Sequence, residues 1–183
     1  MKSNLQVISG KYRGKKLFLP SDARPTQNMA RGALFNMLND VLDTSNPMIV
    51  WDAFAGSGAF GIECISRFNN AKVVFTDNSN KSIDTIKKNL ASIKESANVE
   101  TANALDTLSK FGKDADLIFL DPPYVDFGLG AVFVKKLSKI AKKDAVLIWE
   151  FESTQRTPKI DEDWEILKDK TYGRARFLFL HRI

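Results

Sequence analysis

An acidic and aromatic turn, Asp121-Pro122-Pro123-Tyr124, directly follows the apolar run at 117–120. Asp121 can accept hydrogen bonds from an exocyclic amine. The prolines lack N–H groups and fix the backbone, so the Pro122 carbonyl can face the same amine. Tyr124 offers a flat ring on which a base can stack. These residues are suited to holding a planar amine while it attacks an electrophilic methyl group, although an ordinary turn at a strand end has the same residues.

A glycine-rich segment earlier in the chain provides the context for this turn. The apolar residues at 48–52 and the sequence AFAGSGAFG at 53–61 predict a strand, a glycine turn and then a helix over 62–68. Gly56 and Gly58 allow a ligand close to the main chain. The next strand, at 72–76, ends at Asp77, 21 residues after Gly56, where a carboxylate can accept from both ribose hydroxyls. The pattern predicts a cofactor that contains adenosine.

The spacing of Gly56, Gly58 and Gly61 also fits a nicotinamide-dependent dehydrogenase. Two features favour S-adenosylmethionine instead. Asp52 lies four residues before the first glycine, where a carboxylate suits the cationic amino-acid end of that cofactor. The turn at Asp121 closes the predicted fourth strand, at the edge where a doubly wound sheet presents its ligands. Together the two motifs indicate a methyltransferase.

Composition limits the other possibilities. The chain has 183 residues, 44% hydrophobic and 27% charged, which is typical of one globular domain. No apolar stretch approaches the ~20 residues of a membrane span, and residues 1–4 lack the apolar core of a signal peptide. We therefore expect a cytoplasmic monomer without membrane contact. The single cysteine, Cys64, excludes an internal disulfide and is expected to be buried. With His181 as the only histidine, metal-free chemistry is expected.

Positive charge is concentrated near the N-terminus. Residues 1–32 carry seven basic residues against one acidic residue, a net charge of +6, whereas the whole chain has +5. Such a segment can neutralise the phosphates of a nucleic acid. The expected RNA-binding residues are Lys11, Arg13, Lys15, Lys16, Arg24 and Arg31.

The order of predicted elements indicates an α/β fold. Residues 1–25 are expected to form a basic β-hairpin (strands at 6–8 and 16–19) and a linker, and residues 26–183 a single methyltransferase domain. Helices are predicted from Thr26 and over 79–96, 104–110 and 131–141, and further strands over 98–101, 117–120 and 145–149. The chain ends in an antiparallel pair, 164–172 and 176–182. The prediction is a Rossmann-like class I S-adenosylmethionine-dependent methyltransferase, with a seven-stranded, mostly parallel sheet and one antiparallel strand at its edge.

Along nearly its whole length the sequence resembles the RsmD-type family of bacterial 16S ribosomal RNA guanine-N2 methyltransferases. The glycine loop and the DPPY turn occur in many amino-methyltransferases, whereas the N-terminal blocks are more particular to this family. The matching segments are ISGKYRGKKL (8–17), RPT (24–26), Arg31 with ALFN (33–36), DAFAGSGAFGIE (52–63), LIFLDPPY (117–124), Glu150 and Tyr172-Gly173. The resemblance implies methylation of N2 of one guanine in 16S rRNA, on the 30S subunit or its assembly intermediate.

The motifs and the resemblance together assign the site. The catalytic residues are expected to be Asp121, Pro122, Pro123 and Tyr124. S-adenosylmethionine is expected to contact Asp52, Phe54, Gly56, Gly58, Asp77, Asn103 and Asp121. The chain departs from the family pattern at Asn28-Met29, at Gly32 and at Asn103, where an acidic residue would touch the adenine.

Three alternatives remain at this point. Adenine-N6 and protein glutamine-N5 methyltransferases share the fold but more often carry Asn-Pro-Pro-Tyr, so Asp121 argues against them. A catalytically silent rRNA-binding assembly factor is the third, suggested by the departures and opposed by the intact glycine loop and turn.

Overall fold

The computed structural model describes residues 5–20 and 28–183. The predicted linker, the predicted helix cap at Thr26 and the expected phosphate contact of Arg24 lie outside the described residues.

The helices and strands alternate along most of the chain, as the sequence predicts. The helices are α1 (Asn28–Asn39), α2 (Ala59–Arg67), α3 (Asn80–Ser92) and α4 (Phe127–Leu137), with a π-helical turn at Leu108–Gly112 and a 3-10 turn at Tyr124–Asp126. The strands are β1 (Met48–Asp52), β2 (Ala71–Asp77), β3 (Asn98–Thr101), β4 (Leu117–Leu120), β5 (Val146–Glu152), β6 (Trp164–Tyr172) and β7 (Ala175–Arg182).

These strands form one sheet in the order β3-β2-β1-β4-β5-β7-β6. Strands β1 to β5 pair in parallel, and β7 is antiparallel to both β5 and β6. The class I methyltransferase fold is therefore confirmed, but the predicted edge position of the reversed strand is wrong. The chain runs to the edge first as β6 and then turns back through Gly173, which places the reversed strand β7 between β5 and β6.

Apolar side chains cover both faces of the central strands. Helices α1, α2 and α3 pack on one face, where the Phe60 ring of α2 stacks on the Phe119 ring of β4 with centroids 4.1 Å apart. Helix α4 and the π-helical turn pack on the other face, around Trp51 and Trp149. Cys64 is fully buried in the first of these cores, as predicted. Burial on both faces explains the continuous apolar runs of β4 and β5.

Several boundaries differ from the predicted ones for identifiable reasons. Helix α4 begins at Phe127 rather than 131 because the Asp126 carboxylate accepts from the Leu129 N–H at 3.2 Å and caps the helix. Strand β5 continues to Glu152 because β7 pairs with it as far as Ala175. Where a helix was predicted over 104–110, the chain forms the π-helical turn instead.

Residues 5–20, here called the N-terminal arm, fold back on themselves, but the strands predicted at 6–8 and 16–19 do not form. The backbone of Val7 donates to the Lys15 carbonyl at 2.9 Å, and an isolated antiparallel bridge joins Gln6 to Lys16. Gly10 has φ +82° and touches α2 so closely that an added Cβ would lie 2.0 Å from the Ser66 carbonyl oxygen. Three apolar side chains of the arm, Leu5, Val7 and Leu17, are buried in the core on one face of the sheet, whereas Phe18 is exposed.

In the described ranges, 5–20 and 28–183, none of the helices combines the length and the apolar character that crossing a membrane requires.

Candidate active site

Two acidic residues lie side by side, one directly after β4 and the other near the end of β5, where that strand pairs with β7. The parallel register pairs Leu120 with Trp149, so the next residues, Asp121 and Glu150, are neighbours on adjacent strands about 4.8 Å apart. Both side chains line one pocket, together with Asp52 from the end of β1. Glu150 is 2% exposed. Three strands of the sheet thus bring three carboxyl groups to one place.

The glycine loop forms the adjacent wall of this pocket. Gly58 has φ 75°, a left-handed conformation that directs the chain from the loop into α2, which begins at Ala59. The Asp52 carboxylate accepts from the Gly61 N–H at 3.0 Å, in the first turn of that helix. Asp77 accepts from the N–H groups of Gly56 at 2.8 Å and of Ser79 at 2.9 Å. The two aspartates therefore hold the glycine loop, which connects β1 to α2, in place.

The carboxyl groups of the pocket have raised pKa values. The pKa of Asp52 is raised to about 7, mainly by burial and to a smaller extent by the charge of Asp77, while the hydrogen bond from Gly61 opposes the shift. Burial also raises the pKa of Glu150 to about 7. The pKa of Asp121 lies well above its usual value, because of burial first and then of repulsion from Glu150 and Asp52. A cation in this pocket would relieve the repulsion.

Tyr124 is tied to the acidic group. Its hydroxyl donates to Oε1 of Glu150 at 3.0 Å, and burial together with Glu150 raises the pKa of the phenol above its usual value. The turn before it is closed by the Asp126 N–H, which donates to the Pro123 carbonyl at 2.8 Å. Of the two proline carbonyls, only that of Pro122 has no hydrogen bond within the described part of the chain.

Of the two remaining predicted cofactor residues, Asn103 is not among those that line this pocket, whereas Phe54 is. Phe54 packs edge-on against Phe133, with ring centroids 6.2 Å apart. Asn103 is exposed after β3, and its Oδ1 accepts from the Leu105 N–H at 2.9 Å.

The pocket fits S-adenosylmethionine on two observations. An added Cβ at Gly56 would have no atom within 4 Å, so the loop backbone borders open space into which an adenosine group can approach. The carboxyl groups of Asp52, Asp121 and Glu150 provide negative charge for a ligand that carries a sulfonium and an ammonium.

The N-terminal arm is fastened to this site by two buried side chains. Glu63 of α2 is fully buried and accepts from the N–H groups of Ile8 and Ser9, each at 2.9 Å. Asn89 of α3 donates to the carbonyls of Phe18, in the arm, and Ser57, in the glycine loop, at 3.0 and 2.9 Å. The arm is therefore part of the wall of the pocket, which Leu19 lines.

The basic residues of the arm differ in their surroundings. Arg13, Lys15 and Lys16 are exposed and form no ion pair with any residue in 5–20 or 28–183. Lys11 is exposed too, but its Nζ pairs with Glu95 at 3.0 Å. Arg31 was expected at an RNA surface, and that expectation is wrong for this structure. It is 3% exposed, donates to the Gln6 carbonyl and lies 3.8 Å from Glu63, because α1 packs it beneath the arm.

Three buried polar residues were not assigned any role by sequence patterns alone. Glu150 and Glu63 appeared only within the segments of family resemblance, and Asn89 lies inside an amphipathic helix without a motif. The detectable signal was an acidic residue directly after the apolar run at 145–149, just as Asp121 directly follows the apolar run at 117–120. Met29, one of the departures from the family pattern, is 86% exposed at the start of α1.

Comparison with known proteins agrees with the family resemblance seen in the sequence. The family model described as "Conserved hypothetical protein 95" matches residues 5–181. Ribosomal RNA small subunit methyltransferase D of Escherichia coli K12 is 30% identical, with 97% of this chain and 90% of the relative covered. The Haemophilus influenzae protein of the same name is 34% identical over 94% of this chain and 91% of its own length. The solved structure of yhhF from Escherichia coli covers 97% of both chains, with a TM-score of 0.82 and 30% identity.

Proposed function

The chain belongs to the family of conserved hypothetical protein 95, the RsmD-type rRNA methyltransferases, and we propose that it methylates N2 of one guanine in 16S rRNA. The methyl donor in this proposal is S-adenosylmethionine. The substrate is the 30S subunit or an assembly intermediate, which the protein modifies as a monomer in the cytoplasm. Family membership supports the reaction, and the pocket described above supports the assignment of residues.

The observation that carries the proposal is the joint position of Asp121, Glu150 and Tyr124 beside the glycine loop. Asp121 lies at a strand end, where doubly wound sheets present their ligands, and lines the same pocket as Gly56. A base whose amine reaches Asp121 would therefore lie next to the proposed methyl donor. Few other arrangements of these residues would place an amine acceptor and an adenosine site in one pocket.

Asp121 holds the amine in the reactive orientation. Its carboxylate accepts one N2–H, and the Pro122 carbonyl accepts the other, so the nitrogen lone pair is directed away from both acceptors. Because the pKa of Asp121 is raised, its carboxylate can also take the proton that N2 loses once the new bond to carbon has formed. Positioning is the larger effect, since a misaligned amine loses the advantage of proximity.

Tyr124 has two roles in this proposal. Its half-buried ring supplies the face on which the extruded guanine stacks, a contact worth roughly 1 to 3 kcal/mol. Its hydroxyl fixes one oxygen of Glu150. S-adenosylmethionine supplies the electrophilic methyl group when bound, and the acidic residues of the pocket orient its charged end.

The test is a radiolabelled methyl-transfer assay on 30S particles that lack the modification, with the labelled nucleoside identified by chromatography and mass spectrometry. The wild-type protein is expected to produce N2-methylguanosine. Asp121→Ala should lose turnover by more than a hundredfold and still bind S-adenosylmethionine in calorimetry.

Asp114→Ala is the matched control, because Asp114 is exposed at the opposite end of β4. It should behave as wild type. Product on an adenine amine or on a protein glutamine, or wild-type turnover by Asp121→Ala, would contradict the proposal.

A further inference from the structure

The two carboxylate oxygens of Glu150 differ in their hydrogen bonding within the described residues. Oε1 accepts from the Tyr124 hydroxyl at 3.0 Å, whereas Oε2 is buried and has no hydrogen-bond donor among the residues that the structure describes. A buried acceptor without a donor costs about 1 to 3 kcal/mol, and more when it is charged. Buried groups of this kind in folded proteins call for an explanation, of which an absent ligand is one.

The surroundings show where that ligand would be. Glu150 lines the pocket next to Asp121 on one side and Phe177 of β7 on the other, and the ring of Phe177 cannot supply a donor. The neighbour on the β4 side, Asp121, is itself an acid, whose pKa is raised first by burial and then by repulsion from Glu150 and Asp52. A bound molecule that also reaches Asp121 can supply the missing donor, because both side chains line the same pocket.

Guanine has the matching chemistry. Its Watson–Crick edge carries two neighbouring donors, the N1–H and the N2 amine, so two adjacent carboxylates can accept from both. Adenine carries one amine beside an unprotonated N1, which is an acceptor and would be repelled by a second carboxylate. A pair of acceptors on neighbouring strands thus discriminates guanine from adenine by hydrogen bonding. Contacts of this kind give large selectivity, because the wrong base leaves buried polar groups unpaired.

We propose that Glu150 reads the target base: its Oε2 accepts from guanine N1–H while Asp121 accepts from the N2 amine. Glu150 is a specificity-determining residue in this assignment, and the Tyr124 hydroxyl holds it in place. The inference rests on the proposed function, because it requires a guanine whose N2 amine lies at Asp121.

The experiment compares bases that differ at the proposed contacts, although 2-aminopurine also lacks the O6 oxygen of guanine. 16S rRNA is ligated from segments so that the nucleotide methylated by the wild-type protein is guanine, 2-aminopurine or inosine, and is assembled into 30S particles. 2-Aminopurine keeps the N2 amine but has no proton on N1, and inosine keeps N1–H but lacks the amine. Single-turnover methyl transfer is measured for each particle, with calorimetry of S-adenosylmethionine binding alongside.

For the wild-type protein, guanine should react roughly ten- to a hundredfold faster than 2-aminopurine, the effect of one hydrogen bond to a charged acceptor. Glu150→Gln should lose most of this preference, because an amide can accept from N1–H or donate to an unprotonated N1. Inosine should not react with either protein.

Glu152→Gln is the matched control, because Glu152 lies two residues further along β5 and pairs with Arg174 at the surface at 2.8 Å. It should keep the wild-type preference. Unchanged preference in Glu150→Gln would overturn the inference while leaving the proposed function intact. So would weaker S-adenosylmethionine binding with unchanged preference, since Oε2 would then serve the cofactor. Absence of N2-methylguanosine with the wild-type protein would overturn the proposed function itself.

Discussion

Asn89 of α3 joins the backbone of Phe18 through both atoms of its side-chain amide. Its Oδ1 accepts from the Phe18 N–H at 2.7 Å, and its Nδ2 donates to the Phe18 carbonyl at 3.0 Å. The same Nδ2 donates to the Ser57 carbonyl of the glycine loop at 2.9 Å. One fully buried side chain therefore connects the N-terminal arm to the loop that borders the cofactor pocket.

Replacing this amide should loosen the arm. Asn89→Ala leaves the Phe18 N–H and two carbonyls without their partner, so we expect a loss of about 1 to 3 kcal/mol in the free energy of unfolding. Urea denaturation measures the loss, and hydrogen exchange at the Phe18 amide should become faster. Asn69→Ala, at an exposed turn before β2, is the control and should change stability by less than about 0.5 kcal/mol. Equal effects of the two variants would mean that the contact is not needed.

Ligand binding in the acidic pocket should depend on pH. Asp52 and Glu150 have a pKa of about 7, so both carry protons below pH 7 and ionise above it. Because a cationic ligand requires the ionised groups, affinity for S-adenosylmethionine should rise between pH 6 and pH 7.5, by up to about tenfold per pH unit for each group. Calorimetry at several pH values measures this. Asp52→Asn should flatten the dependence, whereas Asp84→Asn, on the exposed side of α3, should leave it unchanged.

The same raised pKa values predict how stability depends on pH. Between about pH 4 and pH 7 the folded protein keeps protons on Asp52 and Glu150 that the unfolded chain has released. The free energy of unfolding should therefore fall as the pH rises through this window and level off above pH 7. Thermal denaturation of Asp52→Asn should show a smaller decline. A stability that rises over this window in the wild-type protein, and equally in the variant, would contradict the assignment.

The exposed cations of the arm should determine RNA affinity. Replacing Arg13, Lys15 and Lys16 by alanine should weaken binding to 16S rRNA and reduce the slope of log affinity against log salt by up to about three units. Lys11 should contribute less, because Glu95 already pairs with it. Filter binding at several salt concentrations measures both quantities. The control replaces Lys135, Lys136 and Lys143, which are exposed near α4 on the opposite face of the sheet. A slope that falls equally in both triple variants would show only a general charge effect.

Asp77 should contribute to the affinity for S-adenosylmethionine. Asp77→Ala removes the proposed acceptor for the ribose and also the hydrogen bonds from the Gly56 and Ser79 N–H groups. Affinity for S-adenosylmethionine should fall by roughly 1.5 to 3 kcal/mol in calorimetry. Asp84→Ala serves as the reference, and tight binding of NADH instead of S-adenosylmethionine would contradict the cofactor assignment.

Local sequence alone determined much of this protein. The glycine loop, the carboxylate at Asp77 and the DPPY turn each follow a predicted strand, and in parallel sheets such strand ends meet at one edge. For this reason the class I fold could be predicted from the sequence. The position of Asp52, Asp77 and Asp121 at the strand ends along that edge could be predicted in the same way. The exposed cations at Arg13, Lys15 and Lys16 could be predicted as well, because a short basic turn has little apolar surface to bury.

Tertiary structure decided the rest, because it depends on contacts between residues far apart in the chain. Arg31 looked like its basic neighbours in sequence, but packing of α1 beneath the arm buries it near Glu63. The position of β7 inside the sheet depends on which strand pairs with β5, and no local sequence pattern determines that pairing. Glu150 gains its proposed role only from the register of β4 with β5, which sets it beside Asp121 and under the Tyr124 hydroxyl with one oxygen left for a ligand.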